Sequence, residues 1–218
     1  MHILLLGATG GCGRWVARLA TQRGHRVTAI VRSAPVDGSL DGATTTIGDV
    51  QEHSVLDRAM QSGVDGIISC LGIRRRDPRN PWSPVLGTHT LVGPVASALA
   101  QLVPASSVRR VIAVSSAGVA DSAAVTTPIL RWVFGHSNVR IAFEDLASME
   151  RIFAATSLDW VAVRPTRLVD GAPTGRTREC TVFRLGSSVS RGDVATWMLD
   201  AVESAEPIRN RTPMITAT

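Results

Sequence analysis

The sequence predicts an α/β fold, a doubly wound parallel sheet with helices on both faces, formed as a single domain over residues 1–218. Three observations predict it. Short apolar runs alternate with stretches of helical periodicity along most of the chain, the pattern of repeated β-α units. The first run, His2 to Leu6, is apolar almost throughout, as a strand buried on both faces requires. A glycine series, Gly7-Ala8-Thr9-Gly10-Gly11-Cys12-Gly13, separates that run from the first helical stretch.

The elements follow in order. From Arg14 to Arg23, the residues Trp15, Val16, Leu19 and Ala20 recur at helical spacing, and Gly24 supplies the stop. Arg26 to Val31 is a second strand and completes a β-α-β unit of about thirty residues. Thr44 to Ile47 is a third strand, Ser54 to Gln61 a helix, and Gly66 to Cys70 a fourth strand ending in Leu71-Gly72. Pro84 to Leu102 reads as mostly helical, which places His89 within a helix, and Arg110 to Ser115 as a fifth strand. A helix is expected over Ala142 to Thr156, and a strand over Trp160 to Arg164 that Pro165 stops. Another helix is expected over Asp193 to Glu203, and a last strand over Met214 to Thr216. Gly72 to Pro84 and Pro165 to Arg178 are long enough to be active-site loops.

A hydrophobic content of 44% against 19% charged residues fits a packed core and argues against disorder. All 23 basic residues are arginine, set against 18 acids, and the pI is about 10.7. No basic stripe is interleaved with aromatics, so the expected partner is a small molecule and not a nucleic acid. Cys12, Cys70 and Cys180 are odd in number and widely spaced, which indicates neither a disulfide framework nor a metal site. Met1 to Leu6 lacks a basic flank and breaks at Gly7, too short for a signal peptide or a membrane span, so a cytoplasmic location is expected.

A glycine series of the form G-x-x-G-x-x-G between strand and helix lets the backbone turn tightly and meet a pyrophosphate at the helix N-terminal amides. Gly7, Gly10 and Gly13 are its fixed points, with Thr9, Gly11 and Cys12 between them and Cys12 a small filler. An acid ending the second strand would bind the ribose of NAD, whereas an arginine accommodates the extra phosphate of NADP. Here the strand ends in Val31-Arg32-Ser33 and the next acid is Asp37, so NADP is the expected cofactor. Arg14 is either a second phosphate partner or a solvated first-turn residue. The chain contains no tyrosine and no lysine, so a Tyr-x-x-x-Lys proton-transfer pair is excluded.

These pieces resemble the atypical short-chain dehydrogenase/reductases, NAD(P)-binding proteins close to the NmrA-like and biliverdin/flavin reductase group. The resemblance is carried by residues 7–13, Val31-Arg32, Gly48-Asp49-Val50, Cys70-Leu71-Gly72 and Ser115-Ser116-Ala117-Gly118, then by Leu158-Asp159-Trp160, Val163-Arg164-Pro165 and Ser190-Arg191-Gly192-Asp193-Val194-Ala195. It implies a Rossmann-like domain with cofactor beyond the strand ends and a substrate pocket built by the C-terminal third. Asp49 with Val50 then lies near the adenine, Cys70, Leu71 and Gly72 flank the cofactor's path, and Ser115 and Pro165 approach the nicotinamide.

The resemblance implies an NADP(H)-dependent oxidoreductase that delivers hydride to a carbonyl, flavin-like or conjugated acceptor. Two other activities fit the same motifs: an NADP(H)-binding sensor without turnover, and an isomerase, cyclase or dehydratase. Ser115 is a candidate to polarise a substrate carbonyl, or a strand-end serine that satisfies loop amides. Proton donors are sought among His136, Glu144, Asp145 and Glu150, with His89 ranked lower and solvent as the competitor. Arg74, Arg75, Arg76 and Arg79 form either a solvated run or a lid over anionic groups, and Trp82 either stacks on a flat substrate or anchors its loop.

Overall fold

The computed structural model describes residues 1–33, 38, 40–208 and 211–218, so Asp37 lies outside the described residues. The chain opens β1 (His2–Leu6), α1 (Gly11–Gln22), β2 (Arg26–Val31), β3 (Thr44–Ile47), α2 (His53–Met60) and β4 (Gly66–Ser69). A small antiparallel hairpin, β5 (Arg74–Arg75) and β6 (Val85–Leu86), precedes α3 (Val92–Leu102) and β7 (Arg110–Val114). Then come α4 (Pro128–Gly135), α5 (Val139–Ala154), β8 (Trp160–Pro165), β9 (Arg167–Val169), β10 (Arg178–Glu179), β11 (Ser188–Ser190), α6 (Arg191–Glu203) and β12 (Met214–Thr216).

One eight-stranded sheet runs in the order β10-β12-β8-β7-β4-β1-β2-β3. All its pairings are parallel except β10 with β12. The order reverses at β1: the chain builds outward to β3, then returns to place β4 on the other side. Ligands of open α/β sheets bind in the crevice at such a reversal, beyond the carboxyl ends of the strands. Residues of β1 alternate between two cores, as the strand period of two demands. Ile3 and Leu5 pack on the face covered by α1 and α6, while Leu4 and Leu6 pack on the face covered by α2, α3 and α5. Among the described residues no helix is long and apolar enough to cross a membrane.

Several boundaries differ from the sequence reading. The stretch expected to be helical from Pro84 begins as β6, and α3 starts only at Val92. Gly87 takes φ +78°, which a helix cannot include, and Thr88 folds back on Thr90 by hydrogen bonds through its hydroxyl. His89 therefore sits exposed on a loop. The helices α1, α5 and α6 begin two or three residues early; glycine or polar first turns carry no apolar period in α1 and α6, whereas α5 starts at buried Val139. Helix α4 was not anticipated: none of its residues is fully buried, Ile129 and Trp132 are 60% and 57% exposed, and its apolar face of Leu130, Val133 and Phe134 is only half-buried.

Candidate active site

The glycine series makes the closest backbone contacts at the sheet reversal. Gly7 takes φ +77°, and a Cβ there would fall 2.7 Å from the Cys70 carbonyl oxygen at the end of the neighbouring strand. A Cβ on Gly13 would run into the Gly7 carbonyl and lie 2.8 Å from the Ala8 Cα. Gly10 N–H donates to the Gly7 carbonyl at 3.0 Å and caps α1, which has neither a side-chain cap nor an acid in its first turn. Such an end presents amides and a positive dipole to an anion. The cradle thus fits a pyrophosphate, with Thr9, Gly10 and Gly11 exposed on its surface.

Cys12 is buried behind the loop, and burial pushes its thiol up to about 11, with Arg191 opposing and Asp170 assisting. It is a protonated filler at neutral pH. Cys70 stands beside it, its thiol raised well above the ordinary value by burial. Arg14 is exposed and donates through Nε to the Thr9 carbonyl at 3.1 Å, which braces the loop from outside.

A cleft of about 170 Å³ continues from the loop across the ends of β1 to β4. It brings together Gly7, Thr9, Arg32, Asp49, Val50, Leu71 and Gly72 from the expected cofactor set, while Cys70, Ser115 and Pro165 are not on its wall. Asp49 also accepts the Gln51 amide at 2.9 Å in the turn before α2. Arg74 joins Arg32 on the cleft wall. The other arginines of that run divide: Arg75 donates to the carbonyls of Pro78 and Asn80 and knits the hairpin, while Arg76 and Arg79 are exposed. Trp82 anchors the hairpin, donating through Nε1 to the His136 carbonyl at 3.0 Å.

The candidates for proton chemistry scatter. Ser115 is buried and donates to Glu150 Oε1 at 2.6 Å. Glu150 is itself gripped by Arg164 through Nε–Oε1 at 3.0 Å and Nη2–Oε2 at 2.6 Å. Arg164 reaches on to Asp121 at 2.7 Å, and that bond holds the Asp121 carboxyl below its usual range. Ser115 and Glu150 thus belong to a buried ionic cluster under the ends of β7 and β8. Asp145 is buried and accepts the amides of Leu91, Val92 and Gly93 within 2.9 Å, capping α3. His136 ends α4 in solvent, with Nδ1 on the Trp132 carbonyl at 2.9 Å and its ring stacked on that indole. Glu144 is exposed and paired with Arg140 at 2.6 Å. Pro165 is buried, and its carbonyl accepts the Ala117 amide, which ties the ends of β7 and β8 together.

A second cavity, about 280 Å³, opens between the segment after β7, α4 and α5. Val119, Ala123, Phe134, Phe143 and Ala147 make its wall apolar, and Arg131, Arg140 and Glu144 stand at its polar margin. Gly118 is required there: at φ +94° a side chain is strained, and a Cβ would lie 3.0 Å from Phe143 and 3.1 Å from Phe134. Ala120, on the same wall, takes φ +48°, alone among non-glycine residues described. The cavity is formed by residues 118–147, ahead of the C-terminal third from which the resemblance would draw it. The expected loop after Pro165 is instead fastened to α6. Asp193 accepts the Thr174 amide at 2.7 Å and hydroxyl at 2.8 Å, and Gly192 N–H donates to the Gly171 carbonyl.

Sequence reasoning passed over Arg191, whose side chain lies on Gly11, and named Arg74 only within an arginine run left open between a solvated surface and a lid. Arg191 stands in the quoted Ser-Arg-Gly-Asp motif, which is where a signal existed.

Comparison with known proteins agrees with this geometry. The NAD(P)H-binding family profile matches residues 7–205. An anaerobillin reductase from Escherichia coli O157:H7, ChuY, superposes with a TM-score of 0.77 at 25% identity, covering 99% of this chain and 96% of its own. A short-chain dehydrogenase/reductase from Veillonella parvula, solved with NADP, gives a TM-score of 0.73 at 16% identity over 98% and 93% of the two chains. Divinyl chlorophyllide a 8-vinyl-reductase of Arabidopsis thaliana is 30% identical over a 95-residue alignment that covers 38% of this chain but only 23% of that protein. With its glycine cradle at the β1/β4 reversal and a profile match over nearly its whole length, the chain belongs to the NAD(P)H-binding family of Rossmann-like, atypical short-chain dehydrogenase/reductase proteins.

Proposed function

We propose that the protein is an NADP(H)-dependent oxidoreductase that binds its acceptor in the apolar cavity between α4 and α5. One observation carries this reading. A phosphate cradle with an arginine-walled cleft and a separate apolar cavity lie on the same carboxyl edge of one sheet. The bound nicotinamide would supply hydride. Gly7, Gly10 and Gly13 would seat the pyrophosphate, and Arg32 with Arg74 the 2′-phosphate. Phe134 and Phe143, with centroids 5.0 Å apart, would hold a flat or conjugated acceptor and keep water from its face. Ser115, Asp145 and Glu150 are engaged in structural bonds, so the proton comes from solvent at the margin marked by Glu144. Two relatives named as reductases support the redox reading.

The test is NADPH consumption against carbonyl compounds, free flavins and extended conjugated ring systems. Turnover with one of them is expected, and Phe143→Trp, which fills the cavity, lowers it by about tenfold or more while NADPH affinity holds. His136→Ala leaves turnover unchanged. The absence of a poised acid among the described residues favours a second reading, a cofactor-binding sensor. Tight NADPH binding with no acceptor turned over would select it.

A further inference from the structure

Two helix N-termini meet at one arginine. Helix α1 begins at Gly11 with no side-chain cap and no first-turn acid, and α6 begins at Arg191 itself. The Arg191 side chain crosses Gly11 so closely that a Cβ on that glycine would fall 2.5 Å from both Cδ and Nε. A guanidinium beside the positive end of a helix is electrostatically the wrong way round unless an anion joins it. The anion now present is Asp170, bonded to Nη1 at 2.6 Å with its own side chain 93% exposed. An ion pair so open to water is weak and exchanges readily. Asp193, the other acid nearby, is committed elsewhere, accepting from Thr174, Gly175 and Ser190. The first-turn amides of α1 and the Arg191 guanidinium therefore face one another across Gly11 with a replaceable carboxylate between charge and solvent.

We propose that Arg191 is a ligand of the cofactor's pyrophosphate and that Asp170 is the internal anion which the pyrophosphate displaces. The proposal rests on the cofactor reading above. A pyrophosphate on the α1 amides would give the guanidinium a doubly charged partner, with two oxygens matched to its fork. Gly11 is bare because the arginine stem must pass over it to reach that position. Asp170 then acts as a competitor, and its segment, fixed to α6 through Gly171 and Thr174, loses one tether when cofactor enters.

Calorimetric titration with ADP and with 2′-AMP separates the parts of the site, because only ADP carries a pyrophosphate. Arg191→Met keeps the stem over Gly11 without the charge. It is expected to weaken ADP, NADPH and NADH by a common factor of about ten or more and to leave 2′-AMP unchanged. Asp170→Asn is expected to tighten ADP. Arg191→Lys is expected to recover part of the ADP affinity. Unchanged ADP binding in Arg191→Met, equal losses of ADP and 2′-AMP, or weaker ADP binding in Asp170→Asn would each overturn the proposal. Failure of the unaltered protein to bind any nucleotide would instead remove the cofactor reading itself.

Discussion

Arg32 directly follows β2 on the wall of the cleft, exposed, and Arg74 of the hairpin lines the same cleft. Two guanidiniums that share a wall suit a 2′-phosphate better than a bare ribose. Arg32→Asp is therefore expected to weaken NADP by about ten- to a hundredfold while NAD loses little. Calorimetry with both cofactors checks it, and equal losses would take Arg32 out of the phosphate site. Residues whose role is set by backbone were legible in the sequence: Gly7 and Gly13 are needed wherever carbonyls approach as the Cys70 and Gly7 carbonyls do. Residues whose role is set by a distant partner were not. Ser115 reads as a candidate to polarise a carbonyl until its hydroxyl is found donating a hydrogen bond to Glu150, 35 positions on, and Asp145 reads as a candidate proton donor until its carboxylate is found accepting the amides at the start of α3.

At the scale of elements, the N-terminus of α6 organises the segment that follows β8. Burial alone would raise the Asp193 carboxyl, but hydrogen bonds from Thr174, Ser190 and Gly175 outweigh it and hold the group below its ordinary value. A depressed carboxylate contributes stability that is present above its unfolded pKa and lost as pH falls through the folded one. Asp193→Asn is thus expected to cost about 1–3 kcal/mol at neutral pH, and the gap to the parent should narrow below about pH 4. Urea unfolding at pH 7, 5 and 3 measures this, and a gap that does not change with pH would contradict it. Helices α1, α5 and α6 were legible because each turns an apolar stripe to the sheet. Helix α4 was not, because exposed Ile129 and Trp132 interrupt the apolar face of Leu130, Val133 and Phe134, which is only half-buried against Ala117, Phe183 and Met214. The hairpin of β5 and β6 was hidden by length, since two-residue strands carry no period.

The whole molecule is a sheet reversal with two chemically different cavities on one edge. Charge gathers where β1 to β4 end, at Arg32, Arg74 and the α1 amides, while apolar side chains gather beyond β7. That division was partly legible. Alternating elements pointed to parallel strands as far as β8 but not to their spatial order, and the parallel placement of β12 beside β8 and the antiparallel β10 edge arise from contacts between segments far apart in sequence. The apolar cavity beyond β7 was less legible still, because it is closed by α4 and by the left-handed Gly118 and Ala120. The cofactor claim is tested most directly by calorimetric titration of the protein with NADPH and NADH under identical conditions. The account predicts saturable one-site binding of NADPH, tighter than that of NADH. Binding of neither, or tighter binding of NADH, would contradict it.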